Sequence, residues 1–200
     1  GPDKPVAADA VERGRDADVV ADGVPAARDG GGVDDDLVVG RGCAPLDDAR
    51  PRLAVVIINW NRWADTLECL ESLMRTDQPV RIVVIDNASS DDSLDRIRAW
   101  ASGENGWETP AGPLGRLTRP PLRKPIPVHE LSDEEALTAR PGRELLTIIK
   151  SSENRGFAGG NNLAMRHAFN DPAVAYCWCL NNDTVVEPDA PRALVARMDA

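Results

Sequence analysis

The chain has 200 residues, 42% of them hydrophobic and 28% charged, with a formal net charge of −10, which suffices for one sizeable core and favours a single domain. The first fifty residues carry twelve acidic against six basic side chains, and Lys and Arg cluster nowhere along the chain; this argues against a nucleic-acid partner, though a small anion can still be held by a metal or a helix N-terminus. Cys43, Cys69, Cys177 and Cys179 form no CxxC pair and read as reduced thiols of a cytosolic protein, no stretch approaches the ~20 apolar residues of a membrane span, and the N-terminus lacks a secretory signal.

Residues 1–50 are rich in Asp, Ala, Gly and Arg without a period of 2 or 3.6, and read as a disordered acidic tail or linker ahead of a domain spanning 51–200. The run Leu53-Ala54-Val55-Val56-Ile57-Ile58 is β-branched and continuous, as in a strand buried on both faces. Leu67, Leu70, Leu73 and Met74 then recur at helical spacing, with Asp65 as the expected cap. Val80 to Ile85 predicts a second strand, and the polar turn from Asp86 to Asp92 leads into a helix whose apolar side is Leu94, Ile97 and Trp100. This β-α-β-α order implies a parallel sheet.

Residues 103–143 hold many prolines and charges and read as a surface insertion that adds little to the core, with one helical turn where Ser132 and Glu135 match a capping box. The sheet resumes at Leu145 to Ile149. A Gly-rich turn, Asn154-Arg155-Gly156-Phe157-Ala158-Gly159-Gly160-Asn161-Asn162, opens a helix carrying Leu163, Met165 and Phe169. Ala173 to Leu180 is the next strand, on which Cys177 and Cys179 share one face as core residues. Asn181-Asn182-Asp183-Thr184 and a last helix from about Pro188 follow.

Open parallel sheets bind ligands outside the carboxyl ends of their strands. Here each strand end meets a polar cluster: Asn59 and Asn61, then Asp86 and Asn87, then Asn154 to Asn162, then Asn181 to Asp183. Asn and Asp are also common wherever chains turn. In the order VIINWN, VVIDNASSD, NRGFAGGNN and LNNDTVVEPD, however, these phrases resemble family 2 glycosyltransferases from Leu53 to Ala200. The resemblance implies an α/β, Rossmann-like GT-A nucleotide-diphospho-sugar transferase fold with a mostly parallel sheet, whose first half binds the donor. The NRGFAGGNN phrase is most similar to rhamnosyltransferases and to glycan-building transferases of unspecified donor.

By this resemblance Asp86, an acceptor-only carboxylate, receives the imide N–H of uracil or thymine, which favours a UDP- or dTDP-sugar; the alternative is a helix cap, for which Ser89, Ser90 or Asp91 is better placed. Asn59, Trp60 and Asn61 line the base pocket, unless Trp60 is a core aromatic. Asn181, Asn182 and Asp183 stand where the family carries Asp-x-Asp, with Asn in place of the first Asp. Asp183 is then the expected ligand of Mg²⁺ or Mn²⁺, offsetting the charge of the departing diphosphate; the alternative is a tight turn. Gly156, Gly159 and Gly160 let backbone approach a ligand, and Asn154 and Asn161 hydrogen-bond donor hydroxyls or orient the diphosphate. The stretch has neither GxGxxG nor a P-loop. His129 and His167 read as structural or solvent-facing.

Sugar transfer with inversion needs a base for the acceptor hydroxyl, which the family carries downstream of its metal motif. The expectation is therefore that this chain stops before the acceptor-binding half, with its base beyond Ala200. The expected partners are the donor and a glycan or lipid-linked acceptor, in polysaccharide or cell-wall synthesis at the cytoplasmic side of a membrane. The competing readings are a catalytically incomplete nucleotide-sugar-binding module, a sugar-nucleotidyltransferase, which should have a Gly- and Arg-containing loop after the first strand, and a dinucleotide oxidoreductase, which should have GxGxxG there.

Overall fold

Six strands form one sheet in the computed structural model, which describes residues 37–40 and 51–200. They are β1 (Leu37–Gly40), β2 (Leu53–Asn59), β3 (Arg81–Asp86), β4 (Val128–Ser132), β5 (Leu146–Lys150) and β6 (Tyr176–Leu180), in the order β1-β6-β2-β3-β5-β4. β6, β2, β3, β5 and β4 run parallel, and β1 lies antiparallel on the outer edge of β6. The sheet is thus α/β and mostly parallel, as the alternation of strands and helices implies. The helices are α1 (Trp63–Leu73), α2 (Ser93–Ser102), α3 (Gly115–Thr118), α4 (Asp133–Thr138), α5 (Gly156–Ala168) and α6 (Ala190–Met198).

The unbroken apolar runs of the central strands reflect burial on both faces. On one face Leu53, Val55 and Ile57 pack with Leu67, Leu70 and Leu73 of α1 and with Ile97 and Trp100 of α2. On the other, Ala54 and Val56 meet Leu163, Ala164 and Ala168 of α5. The small Ala side chains on this second face let α5 lie close to the sheet, as does Gly160, where a Cβ would come within 3.2 Å of Ile58 Cδ1.

Four local expectations are corrected. The reading of 1–50 as a structureless tail fails at Leu37–Gly40, where an apolar Leu-Val-Val run pairs with β6; the remainder of 1–50, with Cys43, lies outside the described residues. Asp65 does not cap α1, whose N-cap is Arg62 without a side-chain bond; it sits inside the first turn, where its charge favours the helix dipole. The Gly-rich stretch is mostly helix, since α5 begins at Gly156. The Pro-rich segment is more than a surface loop: it supplies edge strand β4 and buries Leu117, Leu131 and Ala136. The capping box on α4 forms, Ser132 Oγ accepting from the Glu135 amide while the Glu135 carboxylate accepts from Ser132 N–H.

Two buried charges fasten the outlying chain to this frame. The Glu71 carboxylate on α1 accepts hydrogen bonds from Trp100 Nε1, Arg75, the Leu122 amide and Lys124, so the segment around Leu122 is held by a group that would be costly to leave unpaired. The Arg81 guanidinium pairs with Asp171 at 3.0 Å and donates to the carbonyls of Gly142 and Glu144, tying the start of β3 to the ends of the Pro-rich segment and of α5.

Candidate functional site

In register, the last residues of β2 and β3 pair as Asn59 with Asp86, and β2 runs beside β6 as Ile57 with Leu180. From β2 the chain moves to β3 on one side and later returns to β6 on the other. The reversal opens a crevice at the carboxyl ends of β2 and β6, the position where open α/β sheets bind ligands.

Asn59 is 0% exposed and Asp86 4%, and their side chains start a hydrogen-bonded chain. Asn59 Nδ2 donates to Asp86 Oδ1 at 2.8 Å and to Ser89 Oγ at 3.1 Å; Ser89 Oγ–H donates to Asp86 Oδ1 at 2.5 Å, and the Ser89 amide to Oδ2 at 3.2 Å. A carboxylate offers about four acceptor positions, so Asp86 retains one, on Oδ2. Asp86 therefore organises its own turn and is not the cap of α2, whose N-cap is Asp92. From Asn59 the chain continues into α1: Thr66 Oγ1 donates to Asn59 Oδ1 at 2.9 Å and accepts from Asn182 Nδ2 at 3.1 Å. Thr66 thus joins the end of β2 to the turn that carries Asp183.

A second set of bonds fixes the start of α5. Asn87 Oδ1 accepts from the Arg155 amide at 2.9 Å, and its Nδ2 donates to Asn154 Oδ1 at 2.9 Å; Asn154 Oδ1 also accepts from the Gly156 amide at 2.8 Å. Gly156 has φ +64°, a value that only glycine adopts without cost. Asn61, at φ 55°, accepts the Ser90 amide on Oδ1 at 2.8 Å, and Ala88 holds φ 57° despite its Cβ. Strained residues of this kind persist where the surroundings over-determine them. Asn161 is buried in the second turn of α5.

Trp60 is 53% exposed, which excludes the core-aromatic alternative, and Phe157 is 61% exposed. Both line a cavity of about 140 Å³ backed by Ile58 and Leu180, with Arg62, Asn181 and Asn182 at its edge. Asp86, Asn87 and Asn61 lie outside this lining, while Asn182, bonded to Thr66, joins the cavity to the Asn59–Asp86 chain. Larger hollows lie elsewhere: an apolar one of about 350 Å³ at the opposite, amino end of β3 and β5, and a mixed-charge one of about 460 Å³ between α4 and α5.

Asp183 is exposed in the turn after β6, and no group of three or more His, Cys, Asp or Glu side chains that could hold a metal occurs among the described residues. One carboxylate flanked by Asn oxygens fits a hard divalent cation whose remaining ligands come from a bound diphosphate, and does not fit a self-sufficient metal site. Burial, and then the charges of Asp183 and Glu68, push the Cys69 thiol far above its usual value, so this cysteine stays protonated and is no nucleophile.

Two contributors were not singled out from the sequence. Thr66 is visible only as one more polar residue inside a helix. Phe157 stands in a Gly-rich motif where an exposed aromatic is itself the available signal, since little apolar surface in that stretch could cover it.

Residues 54–109 and 131–200 match the family model described as glycosyl transferase family 2, well over half of the chain. No curated protein matches the chain. Among solved structures, it is similar to the mannosyltransferase PcManGT from Pyrobaculum calidifontis in complex with GDP-Man and Mn²⁺, at 22% identity over 70% of this chain and 30% of that one, TM-score 0.43. It is also similar to S. aureus TarS 1–349, at 14% identity over 74% of this chain and 32% of that one, TM-score 0.44. The chain spans about a third of the length of either structure.

Proposed function

Because the chain belongs to glycosyl transferase family 2, we propose that it is the donor-binding part of an inverting transferase. It takes a UDP- or dTDP-linked hexose or deoxyhexose such as rhamnose, for delivery to a glycan or lipid-linked acceptor in polysaccharide or cell-wall synthesis. The observation that carries this reading is the gathering of Asn59, Asp86, Thr66 and Asn182 into one hydrogen-bonded chain across the ends of β2, β3 and β6, where a nucleotide can lie over the crevice.

In this reading the remaining acceptor position of Asp86 receives the imide N–H of uracil or thymine, and Asn59 and Ser89 hold the carboxylate in place. Asn87 and Asn154 set the first turn of α5, whose amide groups face the negative ligand; Asn61 shapes the neighbouring turn and Asn161 lies beneath the helix start. Asp183, with oxygens of Asn181 and Asn182, holds Mg²⁺ or Mn²⁺ together with the diphosphate. The cation, when bound, offsets the charge that grows on the leaving group. Asp86 is enclosed and its one open acceptor position is assigned to the base, and Asp183 is assigned to the metal, so neither is assigned to take a proton from an acceptor. We assign the base to a residue other than Asp86 and Asp183, and sugar transfer to the protein in which donor- and acceptor-binding parts are joined. Among the described residues no helix is long and apolar enough to cross a membrane, and we place the protein at the cytoplasmic side of the membrane through its acceptor.

Calorimetric titration with UDP, dTDP, GDP and ADP in Mn²⁺ tests the reading. UDP or dTDP should bind in preference to the purine nucleotides. Asp86→Asn, which puts an N–H₂ donor where an acceptor is needed, should cost about 1.5–3 kcal/mol, roughly ten- to a hundredfold in affinity. Equal binding of ADP and UDP, unaffected by the substitution, would refute it.

A further inference from the structure

We propose that the apolar hollow at the amino end of β3 and β5 is a binding site for a small amphiphile, a single carbon chain ending in a carboxylate. It lies at the opposite end of the sheet from the nucleotide crevice, and the assignment does not depend on the nucleotide-sugar reading. Its volume is about 350 Å³, within the range of small-molecule sites. At roughly 30 Å³ for each non-hydrogen atom, the space a water molecule takes in the liquid, it holds about a dozen atoms, the size of decanoate.

The floor of the hollow belongs to the core: Leu73 of α1, Val80, Ile82 of β3 and Leu146 of β5 are all buried. Its rim is open, with Pro79 exposed and Leu145 45% exposed. A further wall is Ile126 and Pro127, from the stretch 110–130 that lies between the two parts matched by the family model. This wall is fastened, since the Ile126 amide donates to the Ala101 carbonyl at 2.8 Å and the Leu122 amide to the buried Glu71 carboxylate at 2.9 Å. A ligand therefore meets walls that are already ordered, which spares the entropy of ordering them on binding. Apolar surface open to water gains free energy when a carbon chain covers it.

The polar part of the lining decides the head group. Arg143 lines the hollow and is exposed, and its guanidinium has no ion pair or hydrogen bond among the described residues. Its backbone is fixed on both sides, because the carbonyls of Gly142 and Glu144 both accept from the buried Arg81. Glu144 is the one acid of the lining. Its carboxylate folds over Gly142, where a Cβ would collide with Oε2 and meet His129 Nδ1 at 3.5 Å. The acid is thus placed beside an imidazole, and the guanidinium is left as the free charge. The Thr76 hydroxyl is committed to the carbonyls of Leu73 and Gln78. A guanidinium presents paired N–H groups that match the two oxygens of a carboxylate, so an anionic head at Arg143 with its chain on the apolar floor satisfies both parts of the lining.

The test is calorimetry of the full chain with hexanoate, octanoate, decanoate and dodecanoate, and with octanol as the uncharged counterpart of octanoate. Decanoate should bind with a Kd below about 1 mM. Affinity should rise about fourfold with each CH₂ up to decanoate and level off at dodecanoate, which exceeds the space. Octanoate should bind roughly fivefold or more tighter than octanol, and Arg143→Gln should remove that preference while changing octanol by less than about twofold. Leu145→Trp, which fills the rim, should weaken decanoate by about tenfold or more. Arg143 and Leu145 are exposed, so neither replacement endangers folding, and an unchanged Tm verifies this. Equal binding of octanol and octanoate, or an Arg143→Gln chain that keeps the preference, would overturn the carboxylate and the proposal with it. Affinity that climbs through dodecanoate and survives Leu145→Trp is surface adsorption and overturns the site, as does the absence of decanoate binding at about 1 mM. If the hollow seats a second copy of the chain instead, sedimentation will show a dimer that Leu145→Trp dissociates, and the amphiphile assignment falls.

Discussion

Replacing Thr66 by valine keeps the shape of the side chain and removes one oxygen, and that oxygen joins the two strand ends that flank the crevice. Thr66 Oγ1 is the donor to Asn59 Oδ1 at 2.9 Å and the acceptor for Asn182 Nδ2 at 3.1 Å. Asn59 is completely buried, so in Thr66→Val its carbonyl oxygen keeps no donor from α1 and cannot reach water; leaving such a group unsatisfied costs about 1–3 kcal/mol. Asn182 is half-buried, retains the Arg62 carbonyl at 3.4 Å and can turn to solvent, so it adds little. The expected loss is about 2 kcal/mol, read as a lower urea midpoint at unchanged slope, or as a fall in Tm of roughly 4–8 °C for a domain of this size. UDP affinity should fall as well, because Asn59 no longer holds Asp86 in one orientation, whereas Thr66→Ser, which keeps the oxygen, should retain it. A Thr66→Val protein within about 0.5 kcal/mol of the parent, the scatter of neutral surface changes, and with unchanged UDP affinity would refute the reasoning.

The site and the fold make two further predictions. Since Asp183 is the one carboxylate of its turn, Mn²⁺ and a nucleoside diphosphate should each raise the affinity of the other by the same factor, and Asp183→Asn should abolish that coupling while base preference through Asp86 survives; titrations with and without Mn²⁺ measure both, and metal-independent binding would remove Asp183 from the site. His167 is fully buried, and burial, followed by the charges of His129 and Arg81, lowers its pKa, against the opposing hydrogen bond from Nδ1 to the Ala136 carbonyl. The unfolded chain therefore binds the proton more readily, so this contribution is intact above the ordinary value of about 6.5 and is lost as pH falls below it toward the lowered folded-state value. Urea midpoints followed from pH 7.5 to 5 should decline in the parent and decline less steeply in His167→Gln; parallel slopes would contradict the assignment.

Much of this protein is local and could be read from the residues in order. Continuous β-branched runs such as Leu53 to Ile58 need two covered faces, helical spacing of Leu67, Leu70 and Leu73 needs one, and each strand ends in residues whose side chains satisfy a turn; the parallel α/β sheet and the polar strand ends follow from these. The capping box at Ser132 and Glu135 is equally local. The family resemblance was legible for a related reason, because its four phrases are the strand ends themselves.

Neighbour relations were decided by the tertiary structure. Nothing along the chain states that β6 lies against β2, and only that placement brings Asn182 to Thr66 across 116 residues of sequence. The glycines of Gly156 to Gly160 look like a loop because glycine weakens helices, yet they begin α5, and Gly160, lacking a Cβ, lets the helix close on Ile58. The Pro-rich segment looks like solvent-facing chain because proline cannot donate to a ladder, yet no proline stands between Pro127 and Pro141, and Val128 to Ser132 pair with β5. The resemblance puts Trp60 in the base pocket with Asn59 and Asn61; only the tertiary structure brings Trp60 and the distant Phe157 to the lining of one cavity. Local sequence sets which groups stand at the sheet's edge; which of them meet depends on strand order and helix packing, which arise only when distant segments bury their apolar faces together.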